Sequence, residues 1–328
     1  MTLDIIVPRY KEPWELCRYL FTTISTQEAI DFNNIKVIMV NDGDQNVLEK
    51  TCFEGFPYRI EYYVKPHGGV SAARNAGLMA SKADYVMFCD ADDGFLSNFG
   101  IYVIMAAANE GADYINSSFI EETLDKDGNM ILVPHKGDYT FIHGKAYKRS
   151  FLMDNDIQFD PEMTIHEDGY FNAVAYAVAS KTGIVKNIES PFYIWRWNPK
   201  SVVRNDRSDF VLKTYGHLIQ THIGMAEQYK ARGYDKELRL SVGMTVLNSY
   251  YDFQKTTYTQ PKNRQLKEKA ERAFKKYWMA YKKIFNDMTY QEIGELAVAA
   301  RANAVKNGMM IEQMDLKSWL KHIEREVH

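Results

Sequence analysis

Residues 84–93 read Asp84-Tyr-Val-Met-Phe-Cys-Asp-Ala-Asp-Asp93, an apolar strand that ends in three carboxylates within four positions. Asp90, Asp92 and Asp93 repel one another at such spacing unless a cation sits among them. Hard divalent ions take oxygen ligands, and Mg2+ or Mn2+ commonly binds one or two carboxylates together with substrate phosphate. Open α/β sheets place their ligands beyond such strand ends. An acidic turn capping the next helix fits the same spacing equally well, because Asp is a favoured N-cap residue. The flanking sequence decides between the two.

Upstream, short apolar runs alternate with amphipathic stretches. Strands are predicted at Leu3–Pro8, Ile35–Val40, Tyr58–Val64 and Asp84–Cys89, with helices at Pro13–Gln27, Ser71–Ser81 and Phe95–Asn109. That alternation predicts a mostly parallel sheet with helices on both faces. Beyond Ala112–Asn116 the pattern changes. Phe119–Leu124 and Met130–Val133 flank Asp125-Lys-Asp-Gly128, a hairpin signal. Gly144–Leu152 and Glu167–Ala179 read as helices, and Thr182–Ile188 and Phe192–Trp195 as strands. From Ser208 onward the pattern is almost wholly helical, with a break around Thr256–Asn263. Thr289 and Glu292 have capping-box spacing. The expected division is 1–207 for the α/β domain and 208–328 for a helical region.

Bulk properties exclude several classes. A length of 328 residues accommodates one large or two modest domains. No stretch approaches the ~18–20 apolar residues of a membrane span. No charged n-region precedes an apolar h-region, so no signal peptide is expected. The expected location is cytoplasmic, with a peripheral position at the inner membrane face as an extension. Cys17, Cys52 and Cys89 lack metal or disulfide spacing and read as free thiols. Residues 211–285 hold 15 Lys/Arg against 6 Asp/Glu, a local charge of +9 in a chain of net charge −3.

Four strand ends carry chemistry. Pro8-Arg9-Tyr10-Lys11-Glu12 follows the first, where Tyr10 suits stacking on a flat ring and Glu12 suits ribose hydroxyls. An ordinary βα loop is the plain alternative. Asn41-Asp42-Gly43 closes the second, Gly43 supplying a positive φ. Asp42 can accept from an imide N–H such as that of uracil, or can make an Asx-turn. Gly68-Gly69 opens a helix whose N-terminus suits phosphate, and Arg74 one turn inside can bond phosphate or the acidic loop. No GxGxxG follows the first strand, against a dinucleotide site.

Val7-Pro-x-Tyr10, Asn41-Asp-Gly43, Gly69-Val-Ser-Ala-Ala-Arg-Asn-x-Gly-Leu78 and Asp90-Ala-Asp-Asp93 occur in one order, each at a strand end. They are joined by Ile142-His-Gly-Lys-Ala-Tyr-Lys-Arg-Ser-Phe-Leu152, His166-Glu-Asp-Gly-Tyr-Phe171 and Tyr193-Ile-Trp-Arg-Trp-Asn-Pro-Lys-Ser-Val202. Over residues 3–204 the chain resembles the family 2 glycosyltransferases, which have the Rossmann-like GT-A fold and use nucleotide-diphosphate sugars. The resemblance implies that Pro8, Tyr10 and Glu12 line the nucleoside pocket, that Asp42 reads uracil and that Arg74 supports the diphosphate. It implies that Asp90, Ala91 and Asp92 form the DxD element, with Asp92 the closer metal ligand, Asp90 the second and Asp93 structural. Asp168, beside Glu167, is then the general base. Three departures stand out: Asn41 where Asp is usual, and Lys11 and His67 where Asn is frequent. Arg196, Ser201 and Arg204 lie in a loop suited to closing over diphosphate, and His143 and His166 are secondary candidates.

These residue types suit glycosyl transfer. A leaving diphosphate needs its charge neutralised, which bound Mn2+ or Mg2+ does as a Lewis acid. An attacking hydroxyl needs a base, and a single base without a covalent intermediate gives inversion. The expectation is a metal-dependent inverting enzyme moving sugar from a UDP-sugar to a hydroxyl of a glycan or cell-surface polymer. A modified base in DNA is the second acceptor, motivated by the basic 211–285 region. A nucleotidylyltransferase and a non-catalytic module for anionic polymers are the rivals from other classes. The 262–283 helix places Leu266, Ala270, Ala273, Phe274, Tyr277 and Tyr281 on one face. A core-facing stripe is its plain reading, and docking of a polyanion or an anionic membrane its functional one. Acceptor binding and homo-oligomerisation are the roles open to the helical region.

Overall fold

The computed structural model describes residues 1–201, 210–306 and 314–327. The chain divides into two compact units, Met1–Pro199 and Lys200–His328. The expected boundary at 207 lies outside the described residues, as does Arg204.

The first unit runs β1 (Leu3–Arg9), α1 (Trp14–Ser25), β2 (Ile35–Asp42), β3 (Arg59–Lys65), α2 (Gly69–Ala80), β4 (Tyr85–Phe88), β5 (Gly94–Phe95) and α3 (Gly100–Asn109). It continues through β6 (Tyr114–Leu124), β7 (Met130–His135), β8 (Ala146–Lys148), α4 (Arg149–Asp154), α5 (Glu167–Thr182) and β9 (Val185–Trp195). One sheet takes the order β3-β2-β1-β4-β8-β6-β9-β5, with β7 paired to β6. The β3-β2-β1-β4 half is parallel, as the strand–helix alternation requires. The other half is mixed: β8 runs antiparallel to both β4 and β6, while β6 and β9 are parallel.

Alternation along β1 sorts the two faces. Leu3, Ile5 and Val7 join Cys17, Leu20, Phe21 and Ile24 of α1 and Ile101 and Ile104 of α3 in one buried cluster. Ile6 points to the opposite face, against Gly77 of α2. There Phe88 meets Phe159 and Phe171 edge-on, while those two rings stack at 4.0 Å. Burying a ring or branched aliphatic side chain stabilises by about 1.5–3 kcal/mol, so both layers hold the sheet.

Three expectations need correction. Gly144–Leu152 is not one helix: Ala146–Lys148 becomes β8, because β4 and β6 both need a partner in the gap between them, and α4 starts at Arg149. The strand expected at Phe119–Leu124 begins earlier, at Tyr114, as β6, and the two expected at Thr182–Ile188 and Phe192–Trp195 are one long strand, β9, with a register shift between Ser117 and Phe119 where the two pair. Phe95 belongs to β5, paired with β9, so α3 begins only at Gly100.

The second unit is helical, as expected. It comprises α6 (Phe210–Lys213), α7 (Tyr215–Ala231), α8 (Asp235–Asp252), α9 (Thr256–Thr259), α10 (Arg264–Asn286), α11 (Tyr290–Lys306) and α12 (Leu316–Arg325). Glu292 accepts from the Thr289 N–H at 2.7 Å while Thr289 Oγ1 accepts from the Glu292 N–H, so the capping box forms. The apolar face of α10 is core: Ala270, Phe274, Tyr277, Trp278, Tyr281 and Phe285 are buried, and Phe274 packs on Trp319 of α12. Many of its cations have partners within this unit. Arg264 pairs with Glu268, Lys267 with Glu271, Lys282 with Glu324 and Lys283 with Asp287. Lys275 donates to the Glu324 and Val327 carbonyls.

A Cβ on Gly77 would overlap Ile6 Cγ2 at the centre of the sheet. Gly77→Ala therefore destabilises the first unit by about 1–3 kcal/mol, the usual range for overpacking, which urea denaturation measures.

Candidate active site

The chain leaves β1 for β2 on one side and returns to β4 on the other, so strand order reverses between β1 and β4. A crevice at such a reversal is where α/β sheets bind ligands. The C-terminal ends there carry Tyr10 and Glu12 from β1 and the 90–93 aspartates from β4.

Arg74 of α2 sits beneath this point with its side chain 2% exposed. Nη2 donates to Asp90 Oδ1 at 2.8 Å, and Nη1 donates to Glu167 Oε1 at 2.9 Å and Asp168 Oδ1 at 2.6 Å. One guanidinium thus gathers carboxylates that are 16, 93 and 94 residues away in sequence. Three negative charges raise the Arg74 pKa although burial opposes them. Burial works to raise Asp90, but Arg74 outweighs it and holds that carboxyl below its usual range. Asp168 goes the other way: burial, reinforced by the charges of Glu167 and Asp90, overcomes Arg74 and lifts it to about 7.

α5 presents Asp168 from its first turn. His166, at φ +67°, turns the chain into the helix and bears no side-chain cap bond. Asp168 Oδ2 accepts the Ile142 N–H at 3.1 Å. One turn later Asn172, fully buried, donates to the carbonyls of Thr140 and Phe141, and its Oδ1 accepts from Tyr147 Oη at 2.6 Å. Residues i and i+4 of one helix face therefore hold the 140–147 segment in place.

Within the aspartate turn the three side chains have different surroundings. Asp93 is 0% exposed and accepts from Tyr193 Oη at 2.7 Å and from the Arg196 N–H at 3.0 Å, in keeping with a structural part. Burial and the charges of Asp92 and Asp90 push its pKa well up. Asp92 is half-buried and accepts from Asn198 Nδ2 at 2.7 Å. Ala91 is buried between them. The Arg196 guanidinium lies over the Tyr19 ring at 3.9 Å, so cation–π contact and a backbone bond fix that residue beside the turn.

Pro8 is buried in β1. Tyr10 is 39% exposed and stacks on His67 at 4.4 Å, while its N–H donates to Glu12 Oε2 at 2.6 Å. Burial raises Glu12, with Asp92 and Asp90 adding to it, which places Glu12 within reach of the aspartates' field. Asn41 makes the turn that Asp42 was also suited to make: its Oδ1 accepts the Asp44 N–H and its Nδ2 donates to the Asp44 carbonyl. Gly43, at φ +81°, lies where a Cβ would strike the His67 backbone. Asp42 is engaged at both oxygens. Oδ1 accepts from Lys65 Nζ and the Gly68 N–H, and Oδ2 from the Gly69 N–H and lies 2.8 Å from His67 Nδ1. Thus the Gly68 and Gly69 N–H groups at the start of α2 bond the Asp42 carboxylate, an anion suited to that helix terminus.

Residues 4–150 match the sequence profile of Glycosyl transferase family 2. That stretch carries the family 2 glycosyltransferase signature. EpsJ of Bacillus subtilis, an uncharacterized glycosyltransferase, is 26% identical over 222 residues, or 61% of this chain and 62% of that protein. The minor teichoic acid biosynthesis protein GgaB of B. subtilis is 29% identical over 207 residues, 56% of this chain but 22% of its own length. The poly(ribitol-phosphate) beta-N-acetylglucosaminyltransferase TarS of Staphylococcus aureus is 24% identical over 210 residues, 57% of this chain and 34% of TarS. The matched stretch therefore spans under two thirds of each of these three relatives. Crystal structures of TarS 1–349 with UDP and with UDP-GlcNAc superpose with TM-scores of 0.61 and 0.60 at 17% identity. Each covers 94% of this chain and 89% of the TarS chain. That likeness is one of fold, the GT-A fold of the glycosyltransferase domain.

In this glycosyltransferase domain the acidic turn fits a divalent cation. Oxygen donors crowd it, and the negative field around Asp92 and Asp90 raises both Asp93 and Glu12. Donor atoms of Asp90, Asp93 and His143 also lie within 4.8 Å of one another. Asp93 and His143 are, however, shut away from solvent, and Asp93 is committed to Tyr193 and the Arg196 backbone. Asp92 with Asp90 remains the accessible pair. Sequence reasoning missed Asn172, Asn198 and Lys145; a polar residue one turn after Asp168 was the available signal for Asn172.

Arg74→Met leaves three carboxylates without their shared cation. Removing one partner of a buried ion pair typically costs about 3–5 kcal/mol. Asp90 and Asp168, which Arg74 now pulls down, then have their folded-state pKa raised, so the penalty is full above that value and fades as pH falls through it. The variant's melting temperature should lie far below the parent's at pH 8 and approach it toward pH 5.

Proposed function

We propose that this glycosyltransferase moves a sugar from a UDP-sugar to a hydroxyl of a cell-surface polymer of the polyol-phosphate type, with inversion at the anomeric carbon. The observation that carries the reading is the Arg74 cluster, which brings Asp90 of the aspartate turn and the Asp168 carboxylate to one strand-order reversal. The relatives support this donor and acceptor: TarS was crystallised with UDP and UDP-GlcNAc and is named for poly(ribitol-phosphate), and GgaB for minor teichoic acid. A DNA acceptor lacks support, since the basic stretch that suggested it buries its aromatics and pairs many of its cations internally.

Asp168 acts as general base, drawing the proton from the acceptor hydroxyl as that oxygen attacks the anomeric carbon. A base lifted to about 7 by burial accepts a proton far more readily than an ordinary carboxylate and is still half-ionised at neutral pH. Arg74 and the Ile142 N–H fix its orientation. Tyr10 stacks on the uracil and Glu12 takes a ribose hydroxyl. Asp42 reads the imide N–H only by giving up one of its four present neighbours, and His67, the most exposed of them, is the one to yield. Asp92 and Asp90 would hold Mn2+ or Mg2+, which supplies charge neutralisation to the departing diphosphate. Among the described residues no helix is long and apolar enough to cross a membrane.

UDP with Mn2+ should raise the melting temperature, because a ligand specific to the folded state stabilises it. Asp92→Ala should lose the manganese-dependent part of that rise and all transfer. Asp168→Asn, whose single amide oxygen can accept from Arg74 or from the Ile142 N–H but not from both, should keep the UDP response and lose transfer by about 10²- to 10⁴-fold. Turnover retained in Asp168→Asn removes the base assignment. Because only the ionised base works, kcat should fall tenfold per pH unit below about 7, the value to which Asp168 is lifted. A flat profile between pH 5 and 8 contradicts it.

A further inference from the structure

Lys145 is 0% exposed, and its Nζ donates no hydrogen bond among the described residues. Its nearest anion is Asp138, whose Oδ1 lies 3.7 Å away, an ion pair too long to be a hydrogen bond. That oxygen is already occupied by the N–H groups of Thr140 and Phe141. An ammonium sealed from water with its donors unmet is costly to keep, so its position asks for a reason.

The reason lies in where the chain puts it. Ile142, three residues before, gives its N–H to Asp168, and the Lys145 N–H bonds back to the Ile142 carbonyl at 3.4 Å. Tyr147, two residues after, gives its hydroxyl to Asn172. Both flanks of Lys145 are thus held by one face of α5, the face that bears Asp168. Burial pulls the ammonium down to about 8, and the two charges that oppose this are Asp138 and Asp168.

We propose that Lys145 is a positioning residue for Asp168: its buried positive charge favours the ionised carboxylate, and its turn holds the Ile142 N–H that orients it. The proposal rests on Asp168 being the base. Arg74 alone is divided among Asp90, Glu167 and Asp168, so it leaves the base under-compensated. The groups facing Asp168 are Arg74 from α2, Asp90 from the β4 turn, Glu167 from its own helix and the Ile142 N–H, while Lys145 in its turn feels the charge of Asp168. Those around Lys145 are Asp138, Asp168 and His143. His143, pushed down to about 3 chiefly by burial, is neutral and adds no charge. Lys145 is therefore the second cation of the site, and its loss makes Asp168 harder to ionise.

Side-chain carboxyl 13C NMR on aspartate-labelled full-length protein tests this without activity, the Asp168 signal being identified by its absence in Asp168→Asn. In Lys145→Met and Lys145→Gln the Asp168 midpoint should rise by about one unit, the effect of losing a nearby opposite charge. Lys145→Arg should keep it near the parent value. The acid limb of kcat should move with the midpoint, with the donor KM changed less than about twofold. An unmoved midpoint in folded neutral variants, or an equal rise in Lys145→Arg, overturns the proposal. Should the neutral variants fail to fold, the unsubstituted protein still decides. Its Asp168 signal must show a second inflection where the Lys145 13Cε titrates, and a single smooth curve refutes the coupling. A shifted midpoint with no transfer from any UDP-sugar would uphold the pairing and reject the catalytic reading; transfer with an unmoved midpoint does the reverse.

Discussion

The site hangs on one guanidinium. Arg74 rises from the helix that follows β3, is closed off from water, and ties the β4 aspartate turn to the first turn of α5. Each of the three carboxylates would be a buried or half-buried anion without it, and Arg74 without them would be a buried cation. The arrangement therefore exists whole or not at all. It also fixes the distance between the motif suited to a metal diphosphate and the carboxylate suited to deprotonating an acceptor, which transfer in a single displacement demands.

Around that knot, neighbouring carboxylates are driven to different states by their surroundings. Asp90, in contact with Arg74, is held below its usual range; Asp93, buried beside the charges of Asp92 and Asp90, is pushed well up; Asp168, buried and sharing Arg74 with two other carboxylates, is lifted to about 7. Divergent pKa values among adjacent titratable groups mark a division of labour in enzymes. In the proposed reaction that division gives charge binding to the strand end and proton transfer to the helix start. Asn172 and the 138–147 segment add rigidity, because a base whose hydrogen-bond partner drifts loses its aim.

The parallel half of the fold was legible in residues 1–116. β-branched runs at 3–8 and 35–40, turn residues at 41–43 and the Gly-Gly start of α2 give local signals that need no tertiary contact. The mixed half was not, because its strands exist through pairing. Ala146–Lys148 has helix-compatible residues and becomes a strand only because β4 and β6 flank it. Likewise β5 is two residues long and is made by β9. The candidate residues of the site were legible by type and order, yet their partners were not.

What the sequence determines by itself is the inventory: an α/β glycosyltransferase domain, a helical second unit, and a series of carboxylates and one arginine at strand ends and helix starts. Short-range physics suffices for that, since periodicity, turn chemistry and motif order act within a few residues. Tertiary structure alone decides which charges meet. Asp42 is drawn to the α2 N-terminus and Lys65, Lys145 is sealed beside Asp138, and Arg74 is shared three ways. These outcomes depend on desolvation and on separations of a few ångströms between residues far apart in the chain, quantities that no local pattern encodes.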